Sequence, residues 1–164
     1  MQLAPDDRVA LLGDGKLALL IAQVLRTRCR LAVFGKHADK LALLHDVQVS
    51  TDPPSGQFDV VVEATGSERG FRQALGLVRP RGTLVLKSTV ADAVQLDLAP
   101  LVVNEVTVVG SRCGPFEPAI AALASGEVDP RPLISASLPL SCGVAAFERA
   151  VQPGVLKVLL EPER

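Results

Sequence analysis

Val9-Ala10-Leu11-Leu12-Gly13-Asp14-Gly15-Lys16-Leu17-Ala18 decides the fold. Four apolar residues run into a glycine-rich turn, and the turn runs directly into a helix-period segment. A continuous apolar run, without polar alternation, predicts a strand covered on both faces. The turn itself reads G-x-G-x-x-A. Its first glycine permits a tight turn and its second lets the backbone approach a pyrophosphate with no Cβ in the way. The third small residue, here Ala18, allows close helix–strand packing. The helix N-terminus then offers free N–H groups and partial positive charge to a phosphate. Such a motif alone fits any glycine-rich turn; a strand before it and a helix after it give the dinucleotide-binding context. Gly13, Asp14, Gly15, Lys16 and Leu17 are the first candidate cofactor-binding residues.

Outward from this turn, short apolar runs recur. They are Leu31 to Phe34, a weak Val47-Gln48-Val49, Val60 to Val62, Thr83 to Leu86, and Val106 to Val109. Helical periods lie between them. Leu17, Leu20, Ile21, Val24 and Leu25 form one apolar stripe, with Arg26, Arg28 and Arg30 at its C-terminal end, where cations suit the helix dipole. Phe71, Ala74, Leu75 and Val78 form another, stopped by Arg79-Pro80-Arg81-Gly82. Leu41 and Leu44 mark a shorter helix, and a further one spans 118–124, closed by Ser125-Gly126. This alternation predicts an α/β fold with a doubly wound, mostly parallel Rossmann sheet of about six strands. The link from Ser50 to Phe58 holds Pro53-Pro54-Ser55-Gly56 and is read as a loop. The tail reads as strand–helix–strand: an extended Ser137 to Leu140, a helix capped by Ser141 that carries Phe147 and Val151, and a strand from Val155 to Leu160. The expected division is a nucleotide-binding domain at 1–132 and a return segment at 133–164.

Composition narrows the function. The 164 residues are 48% apolar but only 3% aromatic, so the core is built from Val, Leu and Ala. A net charge of −1 argues against a nucleic-acid surface. Cys29, Cys113 and Cys142 are far apart and odd in number, which suggests neither a zinc cage nor a disulfide framework. The expected setting is the reducing cytoplasm. Neither a signal peptide nor an apolar run of membrane-spanning length is read.

In NAD-binding domains an acid about 20 residues after the first glycine accepts bonds from the adenosine ribose. That point falls at Phe34-Gly35-Lys36-His37, where no acid stands. Gly35, Lys36, His37 and Lys40 are therefore candidate cofactor-binding residues. Loss of an acid with gain of cations favours NADP over NAD.

The strand ends carry a resemblance. Val9-to-Ala18 (VALLGDGKLA), Phe58-to-Gly66 (FDVVVEATG), Arg79-to-Leu86 (RPRGTLVL), Val108-to-Arg112 (VVGSR) and Gly154-to-Leu160 (GVLKVLL) come in one order along nearly all of the chain. Taken together, the chain resembles the cofactor-binding half of the medium-chain, zinc-type alcohol dehydrogenases. The resemblance implies that Ala64, Thr65 and Gly66 line the cofactor cleft and that Lys87, Ser88 and Thr89 approach the nicotinamide. It further implies that Gly110, Ser111 and Arg112 meet the carboxamide and that Lys157 offers a cation to the pyrophosphate. The implied activity is hydride transfer between the nicotinamide and a small alcohol or carbonyl. The family's zinc ligands lie in a catalytic half that precedes this region, and the chain holds no counterpart to it. We therefore expect no catalytic or metal-ligating residue here, and no turnover by the chain alone. His37 and His45 have no cysteine or carboxylate arrangement suited to zinc, and no HExxH or G-x-S-x-G is present. Glu63 reads as a buried structural carboxylate and Cys113 as an inert thiol. The resemblance also implies a homodimer through edge strands, at the sixth strand or at Ser135 to Leu140. The competing reading is a nucleotide-sensing or assembly module that keeps the fold without catalysis.

Overall fold

A computed structural model of the chain describes residues 2–52, 54–89, 95 and 97–162. Six parallel strands form the main sheet: β1 (Arg8–Leu12), β2 (Arg30–Phe34), β3 (Gln48–Ser50), β4 (Phe58–Glu63), β5 (Val78–Leu86) and β6 (Thr107–Gly110). Their order is β3-β2-β1-β4-β5-β6, so the chain reverses its direction of growth between β1 and β4. The helices are α1 (Lys16–Leu25), α2 (Ala38–Leu41), α3 (Glu68–Leu77), α4 (Ala99–Val103) and α5 (Phe116–Ser125). A second, two-stranded parallel sheet pairs β7 (Ile134–Pro139) with β8 (Lys157–Glu161), and α6 (Gly143–Ala150) connects them.

Alternation along the strands divides the core. Val9 and Leu11 of β1 join Ala18, Leu19 and Ala22 of α1 on one face of the sheet. Ala10 and Leu12 join Ala74 and Leu77 of α3 on the other. Successive side chains of a strand point to opposite faces, so a strand covered twice must be apolar throughout. Between β3 and β4 the described residues 51, 52 and 54–57 form neither helix nor strand. Pro53 lies outside the described residues.

Four expectations need correction. The buried residues of α1 are Ala18, Leu19, Ala22 and Gln23; of the predicted stripe, Leu20, Ile21 and Leu25 pack half-buried against the core, while Leu17 is 44% exposed. The α1 sequence is apolar on nearly every side, so periodicity does not choose the face. Alanines let the helix lie close to the sheet, and buried Gln23 is satisfied by the backbone N–H and carbonyl of Asp129. Arg28 and Arg30 serve ion pairs with Glu127 and Asp6 rather than the α1 dipole. Val78 is not on α3, which ends at Leu77: it opens β5 opposite Phe58, and Arg79 to Gly82 continue that strand. Ser141 lies inside a 3-10 turn, and the N-cap of α6 is Cys142, without a side-chain cap bond.

Candidate cofactor site

The carboxyl ends of the main strands lie along one edge of the sheet. Backbone bonds extend the ladder there, from Gly13 N–H to Phe34 O, Ala64 N–H to Leu12 O, Lys87 N–H to Glu63 O and Ser111 N–H to Leu86 O. Open α/β sheets bind ligands outside these ends, at the point where strand order reverses.

Gly13 makes the turn after β1. Its φ is +130°, a region open to glycine, and a Cβ there would stand 2.7 Å from the carbonyl oxygen of Ala64. Gly15 caps α1 without a side-chain bond, and a Cβ on it would meet nothing within 4 Å. The amides of Gly15, Lys16 and Leu17 donate to no described partner. Orphan donors at the end of a ten-residue helix, with open space before them, suit the pyrophosphate of a dinucleotide.

A cleft of about 360 Å³ begins at this turn. Gly13, Asp14, Gly15, Gly35, Lys36, His37, Ala64 and Thr65 all line it. Thr51, Asp52, Pro54, Arg69 and Gln73 line it too and were not read from the sequence. Thr51 and Asp52 directly follow β3, so the strand-end rule applied to that weak strand would have found them. Arg69 and Gln73 are one turn apart on α3, whose start Ser67 marks by accepting a bond from Gly70 N–H. Lys40, in the last turn of α2, does not line this cleft.

Glu63 shapes the wall. Only 3% exposed, its Oε1 accepts from Thr65 N–H and the Thr65 hydroxyl, each at 2.6 Å, and from Gly66 N–H at 3.2 Å. It is a structural carboxylate that folds the Ala64–Gly66 turn. Gly66 N–H also reaches Ser88 Oγ at 2.9 Å, joining the ends of β4 and β5. Lys87 Nζ donates to Ser111 Oγ at 3.3 Å and to the Arg112 carbonyl at 3.0 Å, joining the ends of β5 and β6. Thr89 and Gly110 sit on the same two strand ends. Lys157 opens β8, opposite Ile134, and does not line the cleft. Its neighbour Leu156 packs on the α1-side core.

Asp14 occupies the corner between β1 and β2. Its Oδ2 accepts from the N–H groups of Lys36 (2.6 Å) and His37 (2.8 Å) and lies 2.9 Å from His37 Nδ1. Burial raises its pKa, but the His37 and Lys36 amides and the His37 ring together hold it below the usual carboxylate value. Burial, with the charge of Asp7, pushes the Cys29 thiol up. Among the described residues no three His, Cys, Asp or Glu side chains could hold a metal ion, and no helix is long and apolar enough to cross a membrane.

Comparison with known proteins places this site in a family. A family model described as zinc-binding dehydrogenase matches residues 32–125, more than half of the chain. The sorbitol dehydrogenase of Mus musculus is 32% identical over 105 residues, covering 63% of this chain and 29% of that protein. L-idonate 5-dehydrogenase from Escherichia coli superposes with a TM-score of 0.86 at 24% identity, over 97% of this chain and 51% of the other. Staphylococcus aureus TarJ in complex with NADPH superposes with a TM-score of 0.87 at 20% identity, over 99% and 57%. The aligned region spans about three-tenths of the length of the curated relatives. The solved structures, at these identities, speak to the fold. The chain belongs to the zinc-binding dehydrogenase family and carries that family's cofactor-binding domain.

Proposed function

We propose that this domain holds a nicotinamide dinucleotide for hydride transfer to or from a small alcohol or carbonyl compound, with the zinc ligands supplied by a catalytic domain outside these residues. The observation that carries the reading is the glycine turn. Beside the Ala64 carbonyl only a residue without a Cβ fits at Gly13, while a Cβ at Gly15 would meet open space and the amides of Gly15, Lys16 and Leu17 donate to no described partner. Hydride chemistry belongs to the cofactor; the protein binds and orients it. The α1 N-terminus holds the pyrophosphate, and the Ala64–Gly66 turn walls the adenosine side. Lys87, Ser88 and Thr89 border the nicotinamide side, and the Gly110–Arg112 backbone meets the carboxamide. The packing of Leu156 supports an approach of Lys157 from the α1 side.

Residues 133–164 act in this reading as a return segment against the catalytic domain. Exposed Val144, Phe147 and Val151 of the α6 region support that role, because a covered face would bury them. A homodimer through the free edge of β6, in the cytoplasm, completes the proposal. As for the form of the cofactor, Lys36 beside the His37 ring, with Lys40 off the lining, supports NADP, while the Asp14 carboxylate at the end of β2 stands against it.

Titration calorimetry with NADH and with NADPH tests the binding. Saturable heat with at least one is expected, and none with either would remove the reading. An alcohol-oxidation assay of the chain alone with zinc is expected to show no turnover; activity would move catalysis into these residues.

A further inference from the structure

Asp14 holds a place that sequence position alone does not assign to it. It is the second residue of a turn built for phosphate, yet its carboxylate is fixed on the end of β2 by the amides of Lys36 and His37, with the His37 ring Nδ1 2.9 Å away. The end of the second strand is where dinucleotide-binding sheets carry the ribose-reading acid. In this chain that place belongs to Gly35, and the two residues fit each other. A Cβ on Gly35 would stand 2.7 Å from the Asp14 Cβ and 2.8 Å from its Oδ2. The corner admits the Asp14 side chain because residue 35 has none, and an acid at 35 would collide with it. The missing acid and the extra one are two sides of a single arrangement.

The second carboxylate oxygen is free. Oδ1 of Asp14 accepts no bond from the described residues. It is not sealed either, since no buried side-chain oxygen or nitrogen among the described residues lacks a partner. Asp14 lines the cleft, and its side chain keeps 13% of its surface exposed. A carboxylate with one oxygen anchored and the other open toward a cleft is a preorganised acceptor for a hydroxyl.

We propose that Asp14 reads the adenosine ribose of the cofactor: its Oδ1 accepts the 2′-hydroxyl, and its charge selects NAD over NADP. The proposal rests on the dinucleotide reading above and reverses the preference drawn from Lys36, His37 and Lys40. A 2′-phosphate in this corner would stand beside a carboxylate that has already taken the Lys36 and His37 amides. Cations do line the cleft, at Lys36 and Arg69, but they do not remove that carboxylate. Like charges brought together in a partly desolvated corner repel more strongly than in bulk water.

The test is calorimetric and needs no turnover. The native chain and the Asp14→Asn variant are titrated with NADH, with NADPH and with the NADH analogue lacking the adenosine 2′-hydroxyl. Asparagine keeps an oxygen for the Lys36 and His37 amides while losing the charge. The native chain is expected to bind NADH about tenfold tighter than either other ligand, the scale of one charge-assisted hydrogen bond. In Asp14→Asn both gaps close to under about threefold. NADPH binding to the native chain as tightly as NADH overturns the proposal and leaves the dinucleotide reading standing. So does an equal binding loss for all three ligands in the variant, which would mark a role in shaping the turn. Binding of none of the three by the native chain removes the dinucleotide reading and the role of Asp14 with it. The native chain's own discrimination between NADH and the deoxy analogue is independent of whether the variant folds, and lack of such discrimination overturns the proposal.

Discussion

Val9, Ala10 and Leu11 in β1 have no exposed surface, whereas Val108 in β6 is 41% exposed, although the two strands read alike as apolar runs. The difference continues into the helices. Ala18, Leu19 and Ala22 of α1 are sealed against the sheet. Val102 and Val103 of α4, Phe116 and Ile120 of α5, and Phe147 of α6 are all exposed. The centre of the sheet, around β1, β2 and β4, buries its own apolar surface with α1 and α3. The β6 side and the tail bury a few such side chains, among them Leu133 and Ala146, and leave many others of the same chemistry exposed. An apolar run in sequence therefore states what a segment can bury, and only its place in the fold decides whether this chain does the burying. Exposed apolar side chains in this number suit an interaction surface, which supports the proposed roles of this side toward a catalytic domain and a second copy.

The comparison breaks first at Leu11. Leu11→Ala removes a fully buried side chain from the α1-side core. It should cost about 2–5 kcal/mol in urea unfolding, and a cost under about 1 kcal/mol would mean the centre is not the self-sufficient part. Glu63→Ala comes next. It leaves Thr65 N–H and its hydroxyl without their acceptor beneath the cleft wall. A loss of about 1–3 kcal/mol is expected, together with weaker dinucleotide binding in calorimetry. Phe147→Ser, at a side chain 74% exposed, should change unfolding by no more than about 0.5 kcal/mol. A large loss there would show that the tail closes its own core after all.

The smallest effect is at the surface. Asp59 accepts from the Arg79 guanidinium at 2.6 Å and from Arg8 N–H at 2.8 Å, and the Arg79 bond foremost holds its pKa below the usual carboxylate value. A carboxylate depressed in the folded state contributes stability above its unfolded pKa and loses that contribution as pH falls through the folded one. Asp129, held at about 2 by Arg131, follows the same sign. Melting temperatures measured downward from pH 4 should fall less steeply in Asp59→Asn than in the native chain. An unchanged slope would show that the Arg79 pair does not favour the folded state.

Much of the site was legible because it depends on residues next to one another in the chain. Gly13 and Gly15 declare the turn, and Ala64 to Gly66 follow an apolar strand that is buried. The second row of the cleft was harder. Arg69 and Gln73 reach it through the orientation of α3, and Thr51 and Asp52 through the pairing of a three-residue edge strand. Lys40 looked close to the corner by number, yet the turn of α2 takes it off the lining.

By itself the sequence determined the six apolar runs, the glycine turn, the proline-bearing link between β3 and β4 and the strand–helix–strand tail. Each is a local property: apolar continuity, a conformation open only to glycine, or proline where a helix cannot form. Tertiary structure alone decided which face of α1 is buried, because Leu17 and Leu19 are equally apolar and only the sheet distinguishes them. It alone opened β5 at Val78, through a partner 20 residues earlier in the chain, Phe58. It alone carried the Asp14 carboxylate to the end of β2, because Gly35 leaves room there and the Lys36 and His37 amides need an acceptor.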